Sequence, residues 1–499
     1  MSSAGFLGHL PAFQVIFPLL ASPACLLGGR PRVAWTIAAV VSWFAVVAAA
    51  MLLTQVLDSG VISYELGGWA PPWGIEYRID EINAFVLLIV SAMGALAIIF
   101  ARASVEREIP EDKQPLFYTA WMLCLTGLLG ITITGDAFNV FVFLEISSLS
   151  TYVLISFGRE RRALVSAFRY LIMGTVGATF FLIGVGILYL MTGTLNMMDL
   201  AARLPEVSDS RAVTVAFAFI AVGIGLKMAL FPLHAWLPGA YADAPSAVTV
   251  LLASTATKVA VYVLLRFYFT IFGAEFTFRE MQFDVYLLPL ALACILIMSV
   301  VAVFQDDIKR MLAYSSIAQI GYMALGISMA STAGLTGGIV HLFNHALMKG
   351  ALFMALGCVI LRTGSLSLSS MAGLGRRMPW TTAGFVVGAL SLIGVPLTAG
   401  FISKWYLITA VLERGWWLLA VVIVAASLIA FAYVWRVIEV AYFRTAREGS
   451  VQASAVEAPV TMLVPLWLLV AASVYFGIDT SLTVGVAERA AEVLLEGGR

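Results

Sequence analysis

The chain has 499 residues, of which 61% are hydrophobic and 12% charged, with a formal net charge of zero. Soluble domains carry about a quarter charged residues, so this composition, with a mean hydropathy of +0.98, excludes an ordinary soluble protein. Zero net charge removes any electrostatic case for nucleic acid. Four cysteines standing singly in apolar runs (Cys25, Cys124, Cys294, Cys358) offer no metal or iron–sulfur spacing, so neither metal nor cofactor is expected.

Apolar runs near the ~20 residues that cross a bilayer recur from end to end. The expected fold class is an all-α polytopic membrane protein of about fourteen spans, beginning near residues 11, 33, 82, 115, 136, 163, 211, 246, 284, 310, 333, 381, 416 and 457. The start, MSSAGFLGHL, lacks a basic n-region and a small-residue cleavage site, so the first helix is expected to stay in the mature protein. The runs 163–191 and 381–411 are long enough to hide breaks. Loops alternate in basic content: GGRPR, ARASVEREIPEDK, GRERRALVSAFR, QDDIKR, RTG…GRR and FRTARE together hold sixteen Lys or Arg, and the alternate set holds five. The positive-inside rule puts the first set in the cytoplasm of an inner (plasma) membrane protein, with both termini outside. Arg436 and Glu439, in span 13, read as an i, i+3 structural pair. The tail, 480–499, reads as a short amphipathic helix at the surface. Residues 1–110 would hold spans 1–3, 111–275 spans 4–8, 280–445 spans 9–13, and 446–499 the last span and tail.

The chemistry lies in a few ionisable residues inside these spans. In FNVFVFLEISSLSTYVLI, residues 138–155, Glu145 interrupts an apolar run, and a carboxylate at bilayer depth costs roughly 2.5–3.5 kcal/mol on insertion scales. Of 29 basic residues only six are lysine. Lys113 and Lys309 are expected in loops or at helix ends, whereas Lys227, Lys258, Lys349 and Lys404 all fall inside spans. Arginine stays charged under almost any condition, but a buried lysine can give up its proton. One such lysine could be snorkelling to an interface; four, with a mid-span glutamate, point to a proton path. HLFNHALMKGALF, 341–353, places His341, His345 and Lys349 at i, i+4 and i+8, along one helical face over about 12 Å. That stripe reads as a proton relay. A metal site is the competing reading of the histidine pair, but no carboxylate or cysteine lies nearby to complete one. His234 is open to two readings, a pathway member or a cap of a broken helix.

Proline and glycine interrupt the apolar runs at GLKMALFPLHAWLPGAYADAP and LSLIGVPLTAGFISKW, with Pro232 after Lys227 and Pro396 before Lys404. Proline frees a carbonyl, and at membrane depth freed groups must be satisfied by protein or a cavity. Broken helices at corresponding positions of two halves point to a transporter's ion site. Spans 4–8 and 9–13 would be two five-helix units, inverted because the count is odd, with spans 7 and 12 broken.

FNVFVFLEISSLSTYVLI, GIGLKMALFPLHAWLPGAYADAPSAVTVLLASTATKVAVYVLLR, KRMLAYSSIAQIGYMALG, HLFNHALMKGALF and GVPLTAGFISKWYL together resemble the antiporter-like membrane subunits shared by respiratory complex I, membrane-bound hydrogenases and Mrp-type multisubunit cation/proton antiporters. The resemblance covers roughly residues 80–445 and looks most like the D subunit of the Mrp type, with complex I and hydrogenase homologues as the alternative. It implies that Glu145 pairs with Lys227, that Lys258 continues a central axis, and that His341, His345 and Lys349 carry it to Lys404. It also implies other membrane subunits as partners, with protons as the transported ion and Na+ as a second candidate. A solute transporter would need polar recognition groups beyond this axis, and a membrane enzyme a cofactor motif; neither occurs in the sequence. Asp136, Glu145 and the span 6 hydroxyls could serve sodium or proton.

Overall fold

In an apolar medium every backbone N–H and C=O must find an internal partner, so a chain of this composition is driven into helices. The computed structural model describes residues 5, 7–446 and 449–496. The first residues of the expected uncleaved N-terminus, part of the FRTARE loop and the last three residues of the tail lie outside the described residues.

In chain order come α1 (Leu10–Leu27), α2 (Pro31–Ser59), the hairpin β1 (Ile62–Glu65) and β2 (Glu76–Ile79), α3 (Glu81–Glu108), α4 (Gln114–Ile133), α5 (Ala137–Ser156) and α6 (Arg161–Thr192). Next are the halves α7a (Arg211–Met228) and α7b (Leu237–Asp243), then α8 in two pieces, Ser246–Ser254 and Ala256–Leu265, ending in a π-helical turn, Arg266–Ile271. They are followed by α9 (Phe283–Val303), α10 (Ile308–Ser328), α11 (Thr332–Thr363), the halves α12a (Pro379–Ile393) and α12b (Ala399–Glu413), α13 (Trp417–Phe443), α14 (Val460–Ile478) and α15 (Ser481–Leu495). A helix starts within three residues of each of the fourteen expected positions. Twelve of the described helical segments are long and apolar enough to cross a membrane.

The helices differ in how they are covered. The α8 segment is 94% buried and α11 78% buried, whereas α13 is only 28% buried. α11 is the hub: α3, α8, α10, both halves of α12, α14 and α15 pack around it. Close packing at this hub needs small residues. A Cβ on Gly350 would meet Met93 and Leu469, and one on Gly357 would meet Phe100.

Several expectations change. The run 161–192 is one uninterrupted helix, whereas 379–413 is broken. An unexpected interruption falls in α8 at Thr255. Arg436 and Glu439 do not pair with each other: Arg436 reaches Asp306 at 3.5 Å and the Val303 carbonyl, while Glu439 takes Arg444 at 3.1 Å. A long guanidinium finds a partner on the α9–α10 loop before one on its own helix. Lys309 does stand at a helix end, but it is buried, and its Nζ donates to the Ala244 carbonyl at 2.8 Å. The tail helix α15 is amphipathic, and its apolar face (Val484, Ala487, Ala491, Leu494) is buried rather than free, packed on α11 and α3.

The tightest buried ion pair had no signature in the sequence. Asp80 caps α3, its carboxylate taking the Asn83 amide at 3.2 Å. Arg266 grips the same carboxylate with two nitrogens, at 2.7 and 2.8 Å. Both side chains are under 8% exposed, and Tyr262 and Thr270 take the remaining guanidinium contacts. Burial pushes the Asp80 carboxyl up, but Arg266 and the Asn83 amide outweigh it and hold it below the ordinary carboxylate range. A carboxyl held low contributes stability that is full above its unfolded pKa and is lost only as pH falls through the lowered folded value. The pair is therefore constant across neutral pH. Breaking it leaves an unpaired buried charge, which costs about 3–5 kcal/mol. Arg266→Gln or Asp80→Ala should each lower thermal stability of the assembled protein by that order, equally at neutral and mildly alkaline pH. Asp80→Leu with Arg266→Met should recover most of the loss. A single variant as stable as the parent would show that the pair adds nothing.

Candidate functional site

The site is built where helices are interrupted. α7a ends with Lys227 in its last turn, and the chain then turns left-handed at Ala229 (φ 59°) and stays non-helical through Pro232 to Trp236. The break frees carbonyls, and the Trp236 indole N–H donates to that of Leu226 at 2.9 Å. Lys227 Nζ lies 3.7 Å from Glu145 Oε1 and donates to Ser148 Oγ at 2.7 Å. Ser148 is one turn beyond Glu145 on α5, so the i, i+3 spacing already placed both on one face. Lys227 is 6% exposed and Glu145 22%, on the stripe of α5 that also exposes Phe138, Leu149 and Val153.

The second lysine, Lys258, lies just past the interruption at Thr255. Its Nζ donates to the Ala253 carbonyl beside that interruption. It is fully buried and lies within electrostatic reach of the titratable stripe of α11. There His341 and His345 stack nearly parallel, 6.2 Å between centroids. His345 lies within electrostatic reach of Lys258, Lys349 and His341, and His341 within reach of Lys258 and Lys404. Lys349 Nζ donates to the Leu312 carbonyl and to Ser315 Oγ, both at 2.9 Å, and Tyr433 closes on Ser315. His341 Nδ1 meets Ser403 Oγ at 2.8 Å. Among the described residues neither ring nitrogen of His345 has a hydrogen-bond partner, nor does His341 Nε2. Buried polar atoms are rarely left so.

The last member, Lys404, uses the other break. α12a ends at Gly394 in a left-handed turn (φ 92°), Pro396 lies in the non-helical 394–398 segment, and α12b restarts at Ala399. Lys404 Nζ donates back to the carbonyls of Leu392 and Ile393, at 3.1 and 2.8 Å, and to Ser427 Oγ at 2.9 Å. The Tyr322 ring lies beneath the ammonium, 5.1 Å from its centroid.

The structure thus places seven of the eight expected residues in two groups, the Glu145–Lys227 pair and the cluster of Lys258, His341, His345, Lys349 and Lys404. α7a packs on the second piece of α8 between them. His234 stands apart: its ring stacks on Phe231 at 5.4 Å, and among the described residues no hydrogen bond or ion pair joins it to Glu145, Lys227 or Lys258. Asp136 is also elsewhere, capping α5 through the Asn139 amide at 2.7 Å. Burial, the larger effect, nonetheless raises the Asp136 carboxyl. Sequence reading missed the hydroxyls that seat three of the lysines: Ser148 for Lys227, Ser315 (held by Tyr433) for Lys349 and Ser427 for Lys404. Only Ser148 carried a spacing signal.

Known proteins bear on this arrangement. The family described as NADH:quinone oxidoreductase/Mrp antiporter, transmembrane, matches residues 134–430, which hold every residue of both groups. The chain belongs to this family. It is 43% identical over 475 residues to the N subunit of the NADH-quinone oxidoreductase of Desulforudis audaxviator, covering 92% of this chain and 94% of that protein. It is 30% identical over 475 residues to the D subunit of the Na(+)/H(+) antiporter of Alkalihalophilus pseudofirmus, covering 94% of each. Among solved structures it is similar to a chain of the Mrp complex from Dietzia sp. DQ12-45-1b, with a TM-score of 0.88, 26% identity, and 99% of this chain and 98% of that chain covered. This chain is therefore a multi-pass, nearly all-helical membrane protein, and its relatives are subunits of larger assemblies.

Gly394 makes a direct test of the α12 break. A Cβ there would adopt a left-handed backbone, which costs an L residue about 1–2 kcal/mol, and would stand 2.9 Å from Lys404 Cδ. Gly394→Ala should lower thermal stability by that amount or more and dislodge Lys404 from its carbonyls. Unchanged stability would mean that this turn does not constrain Lys404.

Proposed function

We propose that the chain is a proton- or monovalent-cation-translocating subunit of a multisubunit membrane complex, moving charge along its buried Glu/Lys/His groups. One observation carries this reading: the Glu145–Lys227 contact at 3.7 Å beside an interrupted helix. At an effective dielectric near 20, opposite charges at this separation attract by about 4 kcal/mol. Closed, the pair holds the Lys227 proton. When α7 moves about its break and the pair opens, that attraction is withdrawn and the proton can leave. Among the described residues the cluster beyond has no carboxylate within salt-bridge distance, so each ammonium repels the next, and charging one lysine favours discharge of its neighbour. His341 and His345 bridge Lys258 to Lys404 as groups able to accept and pass a proton.

The two breaks fall in the fourth helix of the proposed units α4–α8 and α9–α13, which supports two related half-paths. Glu145 is 22% exposed on an apolar flank of α5, a position suited to a neighbouring membrane protein of the complex that completes its surroundings.

Exchange of cations for protons, in the manner of the Mrp-type D subunit, is the first reading of how the path is driven. A second, proton pumping driven by redox partners, is favoured by the 43% identity to a quinone oxidoreductase subunit. Everted vesicles carrying the native complex test both. Glu145→Gln and Lys227→Ala should each lower cation-dependent or redox-dependent proton movement at least about tenfold, which corresponds to losing about 1.4 kcal/mol, with the complex still assembled. Normal transport in both variants would sink the switch. Activity that persists without a redox donor but needs a cation gradient marks an exchanger; the reverse marks a pump.

Lys404→Arg separates a structural from a protonic role. A guanidinium can still donate to the Leu392 and Ile393 carbonyls but does not release its proton. Assembly should be kept and transport lost. Transport at the parental rate would make Lys404 a helix cap only.

A further inference from the structure

A groove at the arginine-rich end of α6 lies outside the translocation path. It has a volume of about 420 Å³ and lies between α6, α7b and α10. Arg161, Arg162, Arg169 and Arg310 line it, with Trp236 and Tyr314 as aromatic walls. Among the described residues its one lining carboxylate, Asp243, is already engaged, taking Ser166 Oγ at 2.6 Å and facing Arg310 at 3.6 Å. Arg162 reaches no closer than 3.9 Å to Glu160, with both side chains about three-quarters exposed. Among the described residues Arg161 and Arg169 have no carboxylate partner at all. The groove therefore carries uncompensated positive charge.

Depth decides what fits it. Arg161 and Arg169 are eight residues apart, two turns or about 12 Å along α6. Arg169 is thus set among the exposed apolar side chains of the same helix: Leu164, Val165, Phe168, Ile172 and Val176 are each 42–61% exposed. A cationic end opening onto an apolar stripe matches a molecule with a phosphate at one end and hydrocarbon at the other. Basic pockets between helices on the cytoplasmic side bind anionic headgroups. We infer that this groove is a specific site for an anionic phospholipid, its phosphate held between Arg161 and Arg169 and its acyl chains laid along Phe168, Ile172 and Val176.

The test uses the assembled complex, exchanged from phosphatidylglycerol-containing membranes into phosphatidylcholine nanodiscs, with retained phosphatidylglycerol counted by mass spectrometry. Arg161→Gln with Arg169→Gln should lose one equivalent of retained lipid per copy of this chain. Arg161→Lys with Arg169→Lys, which keeps the charge, should retain most of it. Arg376→Gln with Arg377→Gln, on another loop of the same basic set, should retain all of it. If the glutamine pair retains as much as the parent, the arginines are only solvated interface charges and the site falls. If millimolar inorganic phosphate displaces the lipid completely, the groove is a simple anion site and the lipid assignment is overturned.

Discussion

The cost of holding a charge in an apolar interior governs this molecule. An isolated ionised group there is strongly unfavourable, so each one must sit where something polar already waits. In a continuous helix the carbonyls are already taken by backbone amides, so Lys349 only shares the Leu312 carbonyl of unbroken α10 and adds Ser315 Oγ. Interrupted helices leave carbonyls free. At α8 and α12 a lysine donates to carbonyls beside the gap, Lys258 to Ala253 and Lys404 to Leu392 and Ile393. At α7 the indole of Trp236 takes the freed carbonyl and Lys227 turns to Glu145 and Ser148. At α8 and α12 the break and the charge are thus one device, since the broken backbone supplies the dipoles that make a buried ammonium tolerable. Close crossing of the two halves of α12, where Gly400 lies against the Ser391 carbonyl, brings that device together within a single span.

Position divides the labour between the two groups. The Glu145–Lys227 pair is at a flank, with the carboxylate partly open to whatever covers α5, while the histidine–lysine cluster is enclosed by the helices around α11. The pair is therefore open to influence from outside the chain, whereas the interior cluster is closed off by its own helices. The enclosure also explains why the hub helix is studded with glycine. The close approach of α3, α8 and α14 at Gly350 and Gly357 leaves no room for a side chain there.

Much of this was written in residue type. The concentration of lysine in the spans marked Lys227, Lys258, Lys349 and Lys404, and the Pro–Gly interruptions located the breaks in α7 and α12. What could not be read was anything set by distance across the fold. The α8 interruption has neither Pro nor Gly: Thr255 Oγ1 and Ser254 Oγ bond backwards to Leu251 and Val250, and such hydroxyls occur in many unbroken helices. His234, close behind Lys227 in sequence, was open to a place in the path or to capping the break, and the turn of the break aims its ring at Phe231. Asp80 and Arg266 are 186 residues apart, and no local pattern joins them. Arg436 and Glu439 had the right spacing for a pair and still chose other partners, because a surface ion pair is worth little and a better-placed neighbour displaces it.

Arg266 and the lysines are all buried cations, but they are seated differently. Arg266 meets a carboxylate with two matched bonds, an arrangement that works only while the guanidinium is charged and that therefore fixes one state. Lys258, Lys309, Lys349 and Lys404 meet carbonyls and hydroxyls. A neutral amine can still donate to a carbonyl, and a hydroxyl can turn from acceptor to donor. Such seats hold the side chain in place in either protonation state, so a proton can leave without the packing having to move. Among these lysines Lys227 combines both kinds of seat, a hydroxyl and a carboxylate, and so its charge is coupled to the geometry of a neighbouring helix. The buried arginine thus has a seat that works in one charge state only, whereas the buried lysines have seats compatible with two.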